Sequence, residues 1–291
     1  MKVQLICGFL GAGKTTLLKQ LIREHGADTA ILVNEFGELG IDGALISEGN
    51  NLNVVEMPSG CICCSLRESL VDAVREIMED FNPGQLIIEP SGIASPSSIL
   101  LGLKNADFAE KLAFTPVIGV IDMTFFIEVI REGDIGNFFL DQIKNSDIVL
   151  LNKADLVSAE VTEECSRGVL EINPSAIIIP TVYCKAEIPE MAAKDEVSHF
   201  HYSPQFHAES FTFDGIVKKE KIIDLLNSLK GGEYGNVYRA KGIIRTDNGS
   251  ETFDYVNGQV NFGTIGKAEQ NKLVFIGLEV NRSKIENAVR S

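Results

Sequence analysis

The chain has 291 residues, of which 45% are hydrophobic and 23% charged, and its formal net charge is −15. That length accommodates two domains with ample core, and the negative balance argues against nucleic acid or an anionic membrane surface as a partner. No window approaches the ~20 apolar residues needed to span a bilayer, and the apolar N-terminus is too short for a secretory signal, so a cytoplasmic location is expected. Thiols stay reduced there, and the six cysteines read as metal ligands or core residues rather than disulfides.

Residues 1–7 form a short apolar run, and Gly8 is followed by four free positions and then Gly13-Lys14-Thr15, with a helical pattern over 16–24. This is the P-loop pattern in its strand-loop-helix setting. Glycines let backbone N–H groups close around a phosphate, and the positive end of the helix adds attraction. Lys14 is expected to reach the β- and γ-phosphates and the Thr15 hydroxyl to bind Mg²⁺. Further apolar strands are expected at 30–33, 52–57, 85–89, 117–122, 148–151 and 177–179. Amphipathic helices are expected over 66–79, where Leu66, Leu70, Val74, Ile77 and Met78 recur at helical spacing, and over 159–172. Short apolar strands alternating with helices predict an α/β fold with a mainly parallel sheet, whose ligands sit at the carboxyl ends of strands.

The alternation stops near Lys185. Residues 187–207 read as a linker carrying His199, His201 and His207, which read as solvated side chains more readily than as ligands. Beyond it, strands at 210–213, 238–245, 252–256, 259–262 and 273–278 and helices at 218–229 and 282–289 predict a smaller α+β domain. Turns fall at Asp247-Asn248-Gly249 and Asn257-Gly258, as hairpin chemistry prefers. The expected domains are 1–186 and 208–291.

Asn152-Lys153-Ala154-Asp155 follows a strand. An Asp carboxylate there can accept two hydrogen bonds from the guanine N1–H and N2–H₂ edge, which adenine does not offer, while Asn152 meets the other edge and the Lys153 stem packs along the face. Glu89-Pro90-Ser91-Gly92 ends another strand, with Glu89 near Mg²⁺ or its waters and the Gly92 N–H open to a γ-phosphate. The loop after it, to about Ser98, reads as a nucleotide-sensing switch. A base-backing loop is expected near 181–186 but is poorly marked. Cys61-Ile62-Cys63-Cys64 carries three thiols in four residues. In an extended segment Cys61 and Cys63 point to one side and can grip a soft ion, with Cys64 joining if the chain bends. Glu35, Glu38 and the linker histidines are candidate fourth ligands. Redox pairing of the cysteines is the competing reading, whereas Cys7, Cys165 and Cys184 read as small core residues.

GFLGAGKTT, VNEFGELGID, GCICC, EPSG and NKAD, in this order, resemble the CobW-like metallochaperone GTPases, relatives of UreG and HypB; the VYRAKG and KLVFIG segments also look like that family's C-terminal domain. The resemblance implies a GTP-hydrolysing protein that binds a transition metal through Cys61, Cys63 and Cys64, near Glu35 and Glu38 of the first switch segment. It implies delivery of that metal to a client protein or corrinoid pathway. Gly8, Gly11, Ala12, Gly13, Lys14, Thr15 and Thr16 would bind the GTP or GDP phosphates and Mg²⁺, with Lys14 and Glu89 serving catalysis, Gly92 the γ-phosphate, and Asn152, Lys153 and Asp155 the guanine. Zinc is the expected metal and cobalt the competitor; a homodimer is a possible assembly. The chain departs from many members in having Pro90 in the third motif and only scattered histidines. A GTPase switch whose cysteines form a redox or structural site is the alternative.

Overall fold

The computed structural model describes residues 1–24, 28–33, 53–56, 65–90, 92, 94–132, 137–198, 207–256 and 258–290. Glu35, Glu38, Cys61, Cys63, Cys64, Ser91, His199 and His201 lie outside the described residues. The chain divides into two compact units with a boundary at 204/205.

The first unit is built on β1 (Lys2–Gly8), whose burial is nearly complete from Leu5 onward. Parallel strands flank it in the order β3-β2-β4-β1-β6-β7-β8, where β2 is Thr29–Val33, β3 Asn53–Glu56, β4 Gln85–Glu89, β6 Ile118–Asp122, β7 Ile148–Asn152 and β8 Ile177–Pro180. The two-residue β5 (Ala113–Phe114) pairs with the start of β1. β4 pairs along Lys2–Leu5, and β6 along Ile6–Gly8. β2, β6 and β7 are buried at every position, which is why their sequences are continuous aliphatic runs: helices cover both faces. Strand alternation sorts the residues. Val3, Leu5, Leu86 and Ile88 pack with Leu70, Val74 and Ile77 of α2 (Ser65–Asp80), whereas Ile6, Ile31 and Ile87 pack with Leu17, Leu18 and Leu21 of α1 (Lys14–Glu24).

Three helices were not legible in the sequence. α3 (Pro96–Lys104) has Ser95 as N-cap, its Oγ accepting from Ser98 N at 3.2 Å, and Pro96 in its first turn. α4 (Met123–Glu132) begins in a Phe-rich stretch, and α5 is a short helix at Asn137–Lys144. Both are short, 10 and 8 residues, below the length at which an apolar repeat separates a helix from a buried strand. With α6 (Ala159–Ile172) they cover one side of β6 and β7 through Phe126, Ile143, Cys165 and Val169.

The segment after Lys185 runs across this first unit. Met191 and Ile188 pack against one core and Val197 against the other. Lys194 N donates to Asp147 Oδ1 at 3.1 Å, and its ammonium donates to Ser146 O and Asn173 Oδ1. Asn145 and Ser198 exchange two hydrogen bonds, at 3.1 and 2.9 Å.

The second unit is an antiparallel sheet in the order β12-β11-β10-β13-β9, with β9 His207–Phe213, β10 Val237–Thr246, β11 Gly249–Val256, β12 Gln259–Ile265 and β13 Asn271–Gly277. The β10–β11 hairpin closes on the Thr246–Gly249 pair and the β11–β12 hairpin on Val256–Gln259, the two turns the Gly-containing pairs predict. α7 (Lys219–Ser228) and α8 (Arg282–Arg290) place Ile222, Leu225, Leu226, Ile285 and Val289 against Phe211, Tyr255, Leu273 and Phe275 of the sheet. Among the described residues no helix is long and apolar enough to cross a membrane.

One buried side chain joins three segments of this unit. Asn271 is fully buried; its Oδ1 accepts from Arg245 N at 2.7 Å and its Nδ2 donates to Phe213 O and Gly215 O at 3.1 and 3.0 Å. Asn271→Ala strands one donor and two acceptors away from water and is expected to destabilise this unit by about 3 kcal/mol. Urea denaturation followed by circular dichroism measures it.

Candidate nucleotide and metal site

β1 delivers the chain to the P-loop at the carboxyl edge of the sheet, where β4, β6 and β7 also end. Gly8, Gly11 and Gly13 all have positive φ, at 145°, 75° and 116°. At Gly13 two constraints coincide: the left-handed backbone, and a Cβ that would lie 2.5 Å from Asn152 Nδ2 and 3.0 Å from Cys184 Sγ. Ala12 is fully buried beneath the loop. Lys14 opens α1 with its side chain 6% exposed, its Nζ donating to Phe9 O at 3.2 Å. The ammonium is thus folded back along the loop. Phe9 stacks on Phe125 at 5.2 Å and meets Phe139 at 5.3 Å, so α4 and α5 support the loop from behind.

Thr15 and Glu89 meet directly. Thr15 Oγ1 donates to Glu89 Oε1 at 2.8 Å, joining the first turn of α1 to the end of β4. A hydroxyl and a carboxylate, both hard oxygen donors beside the phosphate loop, are ligands that Mg²⁺ accepts, so the pair fits the ion expected there. Thr16 follows in α1. Gly92 also reaches the loop: a Cβ on it would stand 2.6 Å from Leu10 N and 2.9 Å from Leu10 Cα. Only a glycine lets the third-motif backbone come this close to the P-loop.

The last residue of β7 and the three that follow it act together. The Asn152 side chain is buried, donates from Nδ2 to Ala12 O at 2.8 Å, and accepts at Oδ1 from Cys184 N at 2.9 Å and Thr181 Oγ1 at 3.2 Å. Lys153 has left-handed backbone, φ 66°, and its ammonium pairs with Asp122 Oδ2 at 2.5 Å. Asp122 Oδ1 accepts from the Thr124 backbone and hydroxyl at the start of α4. The Lys153 stem is therefore drawn taut between β7 and the end of β6. Asp155 is exposed on a short 3₁₀ turn, Ala154–Leu156. Ala154 N donates to Thr181 O at 3.0 Å, which ties that turn to the loop after β8.

That loop is the fifth element, only weakly marked in the sequence. Tyr183 and Cys184 both have positive φ, 54° and 56°, uncommon for non-glycine residues. The bend is held by Cys184 N on Asn152, by Lys185 N on Val182 O, and by Gln20 Nε2 on Tyr183 O at 2.6 Å. Val182 and Tyr183 are exposed here, and Leu156 is exposed on the neighbouring turn. Asp122, Thr181 and Cys184 were not singled out from the sequence as site residues. Asp122 had a signal, an acid ending a buried strand at the ligand edge. Thr181 and Cys184 had none, because their role depends on a side chain 29 and 32 positions away.

Among the described residues no group of three or more His, Cys, Asp or Glu could hold a metal ion. Cys7, Cys165 and Cys184 are buried free thiols, and burial pushes them up to about 12, 11 and 12. These are core residues, protonated and unreactive at neutral pH. For Gly13→Ala the new methyl must displace the Asn152 amide and adopt a strained φ. Nucleotide affinity is expected to fall about 100-fold, from ~3 kcal/mol of combined strain and lost bonding. Fluorescent-nucleotide titration measures it, with circular dichroism to show that the fold persists.

The comparisons with known proteins agree with this geometry. The chain is 32% identical to zinc-regulated GTPase metalloprotein activator 1 of Dictyostelium discoideum over 62% of this chain and 45% of that one. It is 31% identical to zinc chaperone CobW of Pseudomonas aeruginosa over 62% and 56% of the two chains. With zinc chaperone YeiR of Escherichia coli it shares 25% identity over 85% and 84%. The match spans about half the length of the first two relatives. Residues 2–180 match the CobW/HypB/UreG nucleotide-binding domain and residues 206–291 the cobalamin synthesis protein cobW C-terminal domain. The chain belongs to the CobW/HypB/UreG family of P-loop GTPases.

Proposed function

We propose that this chain is a GTP-hydrolysing metallochaperone that binds zinc at Cys61, Cys63 and Cys64 and passes it to a client metalloprotein, using the nucleotide state to change how tightly the metal is held. The observation that carries the guanine assignment is the pair of loops at Asp155 and Thr181–Cys184, fixed to the P-loop through the Asn152 amide. An exposed carboxylate, on a turn that is tied to the loop of exposed Val182 and Tyr183 by the Ala154–Thr181 bond, suits the donor edge of guanine. The Asp122–Lys153 pair stretches a methylene stem where a base face can rest.

Phosphoryl transfer to water needs positioning and charge stabilisation more than covalent chemistry. The glycine-rich loop supplies backbone N–H groups, Lys14 a cation that exchanges the Phe9 carbonyl for phosphate oxygens, and Thr15 with Glu89 the oxygen ligands for Mg²⁺. Mg²⁺ held by Thr15 and Glu89 would supply positive charge that offsets the charge developing on the phosphates. Intrinsic turnover is expected to be slow, as in GTPases that await an arginine supplied by a partner.

The metal assignment is supported by the Cys-x-Cys-Cys sequence, three thiolates within four residues, which suits soft or borderline ions. It is also supported by relatives that carry zinc in their names, which favours zinc over cobalt. Glu35 or Glu38 completes the coordination. The cysteines lie in sequence between the first switch segment, 34–43, and the third motif, 89–92, so γ-phosphate contacts that order both segments act on the metal between them.

Two experiments test this. Asp155→Ala is expected to lower the preference for GTP over ATP roughly a hundredfold in a competition assay, since two hydrogen bonds to a charged acceptor are lost; an unchanged preference removes the base assignment. In the unaltered chain, zinc affinity is expected to differ between the GDP form and the form with a non-hydrolysable GTP analogue, with the same factor recovered when nucleotide affinity is measured with and without zinc. A Cys61/Cys63/Cys64→Ser variant should lose both the zinc and the coupling. Zinc affinity that ignores the nucleotide supports a redox or structural role for the cysteines instead.

A further inference from the structure

We infer that Gln142, on α5, is a positioning residue for the γ-phosphate: it holds Gly92 against the P-loop so that the third motif reads GTP apart from GDP. This rests on the GTPase reading above and adds a residue that no nucleotide motif contains. Gln142 is 5% exposed, and its Nε2 donates to Gly92 O at 3.3 Å. Gly92 thus takes this bond on its carbonyl while its α-carbon lies against the Leu10 backbone with no room for a side chain. The Gln142 backbone is itself fixed to the strand that feeds the P-loop: its carbonyl accepts from Ser146 Oγ at 2.7 Å and from Cys7 Sγ at 3.9 Å.

The neighbouring Asp141 secures the far end of the same segment. It is fully buried, and its carboxylate accepts from Ser95 Oγ at 2.6 Å, Ser97 N at 3.3 Å and Asn145 Nδ2 at 2.7 Å. Ser95 is the N-cap of α3. Two consecutive residues of α5 therefore pin the chain at Gly92 and at Ser95–Ser97, on either side of positions 93–94. Burying an acid for this purpose is costly, and burial raises the Asp141 carboxyl above its ordinary range against the lowering effect of the two serines and Asn145. The surroundings of α5 thus spend polar groups on fixing the backbone of the third motif.

The physical role follows from where Gly92 stands. The bond on the Gly92 carbonyl fixes the peptide that follows the Gly92 α-carbon. By holding that α-carbon it restricts the preceding peptide, whose N–H is to meet a γ-phosphate, so that part of the ordering cost is met before the ligand arrives. GDP has no group at that position. A donor on the Gly92 carbonyl should therefore strengthen GTP binding and the transition state for its hydrolysis while leaving GDP nearly unaffected, whereas a residue that merely supports the fold would change all three together.

The test is Gln142→Met, which keeps the length and loses the donor. Affinity for a non-hydrolysable GTP analogue is expected to fall roughly tenfold, about 1.4 kcal/mol, with GDP affinity within twofold of the parent and kcat lowered. Equal losses for the two nucleotides, or no loss for either, overturn the proposal. If Gln142→Met does not fold, the unaltered chain labelled with ¹⁵N-glutamine supplies the second measurement. The Gln142 side-chain NH₂ resonances should move between the GDP and analogue states, and resonances insensitive to the nucleotide overturn it equally. A parent chain that binds neither guanine nucleotide removes the GTPase reading and this role together, while a discriminating parent with an equally discriminating variant removes this role alone.

Discussion

The side-chain amide of Asn152 is the contact on which the rest of the site depends. It is buried at the end of a strand that is itself buried throughout, and its two ends face different loops. The Nδ2 donor closes on Ala12 O inside the P-loop; the Oδ1 acceptor collects Thr181 Oγ1 and Cys184 N. The phosphate-binding segment and the candidate base-binding segment are therefore fixed to each other through one planar group. That arrangement explains why position 13 has no room for a side chain. It also explains how two successive non-glycine residues tolerate left-handed backbone at 183 and 184, because a buried acceptor compensates the strain.

Electrostatics sharpen the demand on this cradle. Residues 1–205 carry 14 Lys and Arg against 30 Asp and Glu, while residues 206–291 carry 12 against 11. The unit with the P-loop is thus strongly acidic and repels a polyanion at long range. Attraction has to be local: the first turn of α1, the loop N–H groups and Lys14. A divalent cation at Thr15 and Glu89 fits the same demand, since it offsets both the Glu89 carboxylate and the phosphates. Screening over ~8–10 Å in physiological salt keeps the distant acidic surface from cancelling these contacts.

Much of this was legible in the sequence because it is local. The P-loop needs glycines at set spacings, the buried parallel strands are uniform aliphatic runs, and the two β-hairpins announce themselves at Asp247-Asn248-Gly249 and Asn257-Gly258. What stayed hidden is relational. α4 and α5 are brief helices, of 10 and 8 residues, shorter than the stretch over which an apolar repeat separates a helix from a buried strand. Gln142 and Asp141 look like ordinary polar helix residues until α5 is laid against Gly92 and Ser95. The stretch over 185–198 lacks regular structure, yet Lys194 and Ser198 bind it to Asn145 after α5, Asp147 before β7 and Asn173 after α6, through contacts spanning 21 to 53 residues. Absence of secondary structure is not absence of fixation.

The same bonds limit how the third motif can respond to nucleotide. Glu89 is joined to Thr15, Gly92 to Gln142, and Ser95 with Ser97 to Asp141. Pro90 adds a fixed φ between the first two anchors and is itself buried. The described residues of this stretch are thus held at three points between positions 89 and 97. A γ-phosphate acting there exchanges hydrogen bonds over distances of an ångström or so instead of moving a domain. Packed elements turn such small shifts into a choice between two arrangements.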